Sequence, residues 1–174
     1  MASFIARLSP ESRYHRFLHA LRTLPDALFD GMLRFHPARA VTLLWFDVGA
    51  AGELVGIAQY AATYEPGQCE IGIVVAEAWQ RRGLGSLMLD ELARIALLAG
   101  FRSATAETLT ENVSALQVAR RWGAQLALVP GNAQLMAIRA PLDRRAGPSL
   151  TGTPPDARVY SRRPGPGSPA RTRG

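Results

Sequence analysis

A chain of 174 residues with 48% hydrophobic content is long enough for one buried core and too short for two ordinary domains. Its formal net charge of +6 is concentrated at one end: residues 141–174 hold seven Arg against two Asp, whereas residues 1–140 hold thirteen Arg against twelve acids. The nearly neutral body has no basic face with interleaved aromatics, so specific nucleic-acid binding is not the expected function.

In chain order, Ser9-Pro10-Glu11 is a helix-entry signal, with a capping serine and proline at the first helical position, followed by Tyr14, Phe17, Leu18 and Leu21 on one face. A second helix is expected over 26–35, where Leu28, Met32 and Phe35 keep helical spacing. The runs 40–48 and 53–63 are β-rich, bounded by glycine, and read as an antiparallel hairpin. After the Glu65-Pro66-Gly67 turn, 69–76 reads as a largely buried strand. The strongest helix covers 83–99, with Leu84, Leu87, Met88, Leu92, Ile95 and Ala99 on one face and Gly100 as its stop.

A strand over 103–109 follows, then a helix capped near Glu111-Asn112 that runs to Trp122 and ends at Gly123. Strands 124–129 and 133–140 close around Pro130-Gly131-Asn132 as a second hairpin. The order is ααβββαβαββ, an α/β sheet with one β-α-β crossover between residues 69 and 109. The domain is expected to occupy 1–140, and the Pro/Gly/Arg-rich stretch 141–174 to be a disordered tail. No apolar run reaches the roughly 18–20 residues of a membrane span. Arg7, Glu11 and Arg13 interrupt the N-terminus before a signal-peptide core, and Cys69 has no cysteine partner. The expectation is a soluble, cytoplasmic protein without a membrane partner.

The chemistry is concentrated in VVAEAWQRRGLGS, residues 74–86, which leads from a strand through a polar connector into the long helix. A helix N-terminus presents backbone N–H groups without intrahelical partners and the positive end of the helix dipole. Gly83 and Gly85 let a phosphate approach the backbone without meeting a Cβ, and Arg81 and Arg82 add charge beside it. A P-loop is ruled out because the chain contains no lysine; a dinucleotide fingerprint needs a third glycine where Met88 stands.

Gln80-Arg81-Arg82-Gly83-Leu84-Gly85 resembles the Gln/Arg-x-x-Gly-x-Gly/Ala signature of the GNAT acyltransferase superfamily, between its central strand and longest helix. ENVSALQVARRWGA, 111–124, resembles that family's second helix, opened by an Asn; the two together cover about 40–140. LSPESRYHRF, 8–17, is similar to the GNAT domains of bacterial protein-lysine acetyltransferases that act on acyl-CoA synthetases.

The resemblance implies a GNAT fold, a mixed and mostly antiparallel sheet with the central crossover. It also implies acetyl-CoA as co-substrate and no metal. The pyrophosphate is expected on Arg81, Arg82, Gly83, Leu84, Gly85 and Ser86, next to Gln80 and Asn112, and the pantetheine arm along Val74 and Val75. There the strand's amides would form an oxyanion site. The acceptor implied is a primary amine, a protein lysine such as one on an acyl-CoA synthetase.

An amine with a pKa of about 10.4 needs a base. Glu70, on the same strand face as Gly72 and Val74, matches the glutamate of the protein-lysine acetyltransferase branch, and Glu107 is a second candidate. Two departures stand against the family pattern. Ala119 occupies the position of the tyrosine that reprotonates the CoA thiolate in many members, and the chain starts inside the first helix, so the expectation is either a misplaced start or a sheet without its first edge strand. These departures keep a second reading open, a GNAT-like domain that binds acyl-CoA as a sensor and catalyses nothing.

Other residues carry less. His15 and His19 have the spacing of two metal ligands without a third, and Cys69 reads as a buried core thiol. Trp45, Trp79 and Trp122 read as core or pocket wall, and Tyr60 and Tyr64 as either cleft lining or core.

Overall fold

A computed structural model describes residues 2–18, 36–47, 49, 52–142 and 157–160. Two short helices come first, α1 (Ala2–Arg7) and α2 (Pro10–Phe17). The Ser9 hydroxyl accepts from the Ser12 N–H at 3.0 Å, which is the cap the sequence announces, and Pro10 stands in the first turn where no N–H is needed. Helix α1 was not anticipated. The helix expected over 26–35 lies outside the described residues.

Strands β1 (Ala40–Asp47), β2 (Glu53–Ala62) and β3 (Gln68–Val75) form an antiparallel meander. A 3-10 turn, Glu77–Trp79, leads to α3 (Leu84–Leu98), and β4 (Ser103–Leu109) returns parallel to β3. Helix α4 (Val113–Arg121) and the hairpin β5 (Gln125–Val129) and β6 (Asn132–Pro141) complete the succession. The sheet runs β5-β6-β4-β3-β2-β1-β7, with β3 and β4 its parallel pair.

The last member, β7 (Ala157–Tyr160), pairs antiparallel with β1. The place beside β1 is taken by a strand from the far end of the chain, which the sequence reading did not anticipate. That strand falls within the stretch 141–174 expected to be a disordered tail, most of which lies outside the described residues.

One sheet face packs on α3, where Leu84, Met88, Leu92, Ala93 and Ala96 meet Val41, Leu43, Trp45, Ala58 and Tyr60. Burial of each large apolar side chain contributes roughly 1.5–3 kcal/mol. The other face is covered at one end by α1 and the residue after it, where Phe4, Ile5 and Leu8 pack on Leu54, Ile57 and Val74. Strand β3 therefore presents Ile71 and Ile73 to α3, and Glu70, Gly72 and Val74 to the side of α1 and α2. Among the described residues no helix is long and apolar enough to cross a membrane.

Candidate active site

The parallel pairing of β3 and β4 is short. Gln68 pairs with Ser103, Cys69 with Ala104 and Glu70 with Thr105, after which the two strands no longer pair with each other, β3 continuing to Val75 beside β2 and β4 to Leu109 beside β6. The sheet opens into a cleft beyond Glu70. Ala76 N–H donates to Val55 O at 2.9 Å, so strand alternation sends the amide of Val74 to β2 and those of Ile73 and Val75 to the open side. Of the two sequence-chosen residues, only Val75 therefore turns its N–H to the cleft. Ile73 is a site residue that sequence reasoning missed, because hydrogen-bond direction depends on pairing partners.

Beyond Val75 the chain builds a cradle of amide donors. Among the described residues, none of the backbone N–H groups of Arg81, Arg82, Gly83, Leu84, Gly85 and Ser86 donates to a protein acceptor, and the first helical bond runs from Leu87 N–H to Gly83 O at 3.1 Å. Gly83, the N-cap, has φ +84°, a conformation open to glycine at little cost. Arg81 adopts φ +58°, an uncommon conformation for a side-chain-bearing residue and one that turns successive amides to the same side. Gly85 has open space, its nearest neighbour for an added Cβ being Val75 Cγ2 at 4.0 Å.

The Arg82 guanidinium lies over the Trp79 ring at 5.6 Å, and the Arg81 and Arg82 side chains are exposed beside the amides. Amide donors, the helix dipole and two cations occupy neighbouring positions at the start of α3, the groups that favour a bound phosphate.

Two sequence-chosen residues brace this loop through their side chains. Gln80 Nε2 donates to Val75 O at 3.0 Å and to Ser12 Oγ at 3.3 Å, tying the cradle to β3 and α2. Asn112 caps α4, its Oδ1 accepting from Ala115 N–H at 3.1 Å and its Nδ2 donating to Thr108 Oγ1 at 3.0 Å. Glu77 locks the other side by accepting from Ser9 N–H at 2.8 Å. Partial burial opposes ionisation of that carboxyl, but the hydrogen bonds it accepts from Ser9 and Ser12 prevail and hold it below the ordinary carboxylate range.

Glu70 is exposed at the mouth of the cleft, and its partner Thr105 and then Glu107 follow on the same face by alternation. Arg16 reaches the same face from α2. Its Nη2 donates to Gln59 Oε1 at 3.2 Å, and a Cβ at Gly72 would lie 2.6 Å from its Cζ. Gly72 does not have the positive φ that only glycine tolerates well, so its missing side chain makes room for the guanidinium. Desolvation lowers the Arg16 pKa and the field of Glu70 raises it, the former prevailing. No sequence signal singled out Arg16, since its role depends on the packing of α2 over β3.

The remaining candidates are settled by packing. Ala119 is buried, so position 119 offers no proton donor. Cys69 is fully buried, its Sγ donates to Ser103 O at 3.7 Å, and desolvation pushes the thiol up to about 12, which leaves it unreactive. Tyr60 is core, donating to Pro37 O at 2.8 Å and meeting Phe101 edge-on, whereas Tyr64 is fully exposed. Trp45 is buried outright, Trp79 backs Arg82, and Trp122 Nε1 donates to Asp90 Oδ1 at 3.2 Å. His15 is described and His19 is not; among the described residues no three His, Cys, Asp or Glu side chains gather to hold a metal.

A strand pair that splays open beside a run of unpaired amides is a candidate site for a phosphate-bearing ligand. The profile of the acetyltransferase (GNAT) family matches residues 5–124, and the chain belongs to that family. It is 37% identical over 101 residues to acetyltransferase PA5475 of Pseudomonas aeruginosa, a match covering 57% of this chain and 54% of that protein. The chain thus matches about half the length of this curated relative. In fold it is similar to the GNAT domain of S. lividans PAT, with TM-score 0.70 and 23% identity over 80% of this chain and 82% of that one. It is also similar to the GNAT-family acetyltransferase of Streptococcus pneumoniae, with TM-score 0.51 and 19% identity over 67% and 74% of the two chains.

Proposed function

We propose that the chain is an N-acetyltransferase that moves the acetyl group of acetyl-CoA directly to a primary amine, with Glu70 as general base. The observation that carries this reading is the run of unpaired amides at residues 81–86, continuous with the cleft that opens beyond Glu70. The pyrophosphate would accept from those amides, and the thioester carbonyl would lie against the free β3 amides of Ile73 and Val75, which stabilise negative charge developing on its oxygen.

Glu70, directly or through a water, takes a proton from the acceptor ammonium. The freed nitrogen attacks the thioester carbon, the resulting cationic nitrogen releases its second proton to solvent, the C–S bond breaks, and the CoA thiolate takes a proton from solvent, since Ala119 has none to give. The acceptor proposed is a protein lysine, on the resemblance of residues 8–17 to the lysine acetyltransferase branch; the single Cys69 accords with action in the cytoplasm.

Buried Ala119 favours one alternative, a domain of the same fold that binds acyl-CoA without turnover. Calorimetric titration with acetyl-CoA, followed by thiol release with amine acceptors, separates the two. Binding with acceptor-dependent release supports the transferase; binding without release from any amine supports the sensor.

A further inference from the structure

Arg16 is a cation that α2 places over the cleft-bearing face of β3, and among the described residues its hydrogen bonds are incompletely satisfied. Its Nε is sealed from solvent without a hydrogen-bond partner. Among the described residues its Nη2 donates to the neutral Gln59 oxygen, its Cζ lies 5.2 Å from the Phe17 ring centroid, and it makes no direct ion pair with Glu70. On the same row of the sheet, where Thr42 pairs with Gln59 and Gln59 with Gly72, the Thr42 hydroxyl is also buried without a partner.

A guanidinium withdrawn from water and short of acceptors carries a desolvation penalty that an incoming carboxylate relieves with two parallel hydrogen bonds. The missing Cβ of Gly72 makes the room in which the guanidinium lies. Glu70 and Gly72 are two residues apart on the strand, about 7 Å. The face thus offers an anion and a cation on neighbouring positions, the two charges that an ammonium with a nearby carboxylate would meet.

We infer that the acceptor carries a carboxylate close to its amine, the amine meeting Glu70 and the carboxylate meeting Arg16. This rests on the transferase reading above. The shared chemistry has two sources, a free amino acid or a protein lysine with an acidic neighbour. Either would be selected by charge complementarity at the cleft.

The test is thiol release from acetyl-CoA with two matched panels, free α-amino acids against their α-carboxamides, and lysine peptides with Asp or Glu beside the lysine against Asn or Gln. The wild type should prefer the carboxylate member of one panel by about 10- to 100-fold in kcat/KM, through KM, as for loss of a hydrogen bond to a charged group. The responding panel identifies the source. Arg16→Gln should erase the preference, read as the ratio of the two members of a panel within the same protein, and Arg16→Lys should restore part of it. Gly72→Ala, which displaces the guanidinium without removing its charge, should reproduce the loss.

Thiol release without a carboxylate preference in either panel, or a preference that survives Arg16→Gln, overturns the inference and leaves the transferase reading intact. Release from no amine at all, with acetyl-CoA bound, overturns both.

Discussion

Replacing Gly85 with leucine separates the cradle's binding role from its structural one. Gly85 has no positive φ and only Val75 Cγ2 at 4.0 Å near an added Cβ, so the larger side chain enters open space at the start of α3. A non-glycine residue in a helix gains up to about 1 kcal/mol in propensity, so folding should not suffer. Binding should suffer, because the side chain occupies the approach to the free amides of residues 81–86. Hydrogen bonds to a charged group contribute about 1.5–3 kcal/mol each, so withdrawing a pyrophosphate from two of them costs about 3–6 kcal/mol, or roughly 10²- to 10⁴-fold in Kd. Gly85→Ala is the control, since the family signature accepts alanine there and a lone Cβ fits; its Kd should stay within about tenfold. Calorimetry with acetyl-CoA gives the affinities and a circular-dichroism melt verifies folding. A folded Gly85→Leu protein with wild-type affinity would refute the assignment of the pyrophosphate to these amides.

Two further predictions concern the supports of the site. Ser9→Ala removes the α2 cap and should lower stability by about 1 kcal/mol in urea titrations. The carboxyl of Glu77 is held low in the folded state, so its stabilisation is present above the unfolded value of about 4.3 and lost as pH falls through the lower folded value. Urea midpoints of wild type and Glu77→Gln should therefore differ at neutral pH and converge under acid; a constant difference contradicts the Ser9 and Ser12 contacts. Cys69, pushed up to about 12, should resist aromatic disulfide reagents until the protein unfolds. Because the neutral thiol is favoured in the folded state, its contribution is present below the unfolded value of about 8.5 and fades as pH rises above it. Labelling faster than unfolding contradicts its burial.

The features legible in the sequence are those fixed by short-range physics. The Ser9 cap, the Gly83 start and Gly100 stop of α3, and the Asn112 cap follow from which backbone groups a helix end leaves unpaired. The crossover is legible too, because a buried strand, a long amphipathic helix and another strand have few ways to pack. What was missed requires knowledge of neighbours distant in the chain. Arg16 matters only because α2 lies over Gly72, 56 positions later. The direction of the Ile73 amide depends on the β2 register, and β7 reaches β1 from beyond residue 142. Gln80 was read as a cofactor contact from the signature, whereas its side chain holds the strand end and α2.

The central claim is that this cleft transfers an acetyl group with Glu70 as base. The most direct measurement is acceptor-dependent thiol release from acetyl-CoA by wild type and Glu70→Gln, with acetyl-CoA affinity determined on the same samples. The account predicts turnover by wild type, a fall of about 10²- to 10⁴-fold in kcat for Glu70→Gln, and equal affinities. Undiminished turnover in Glu70→Gln, or acetyl-CoA binding by wild type with no release from any amine, would contradict it.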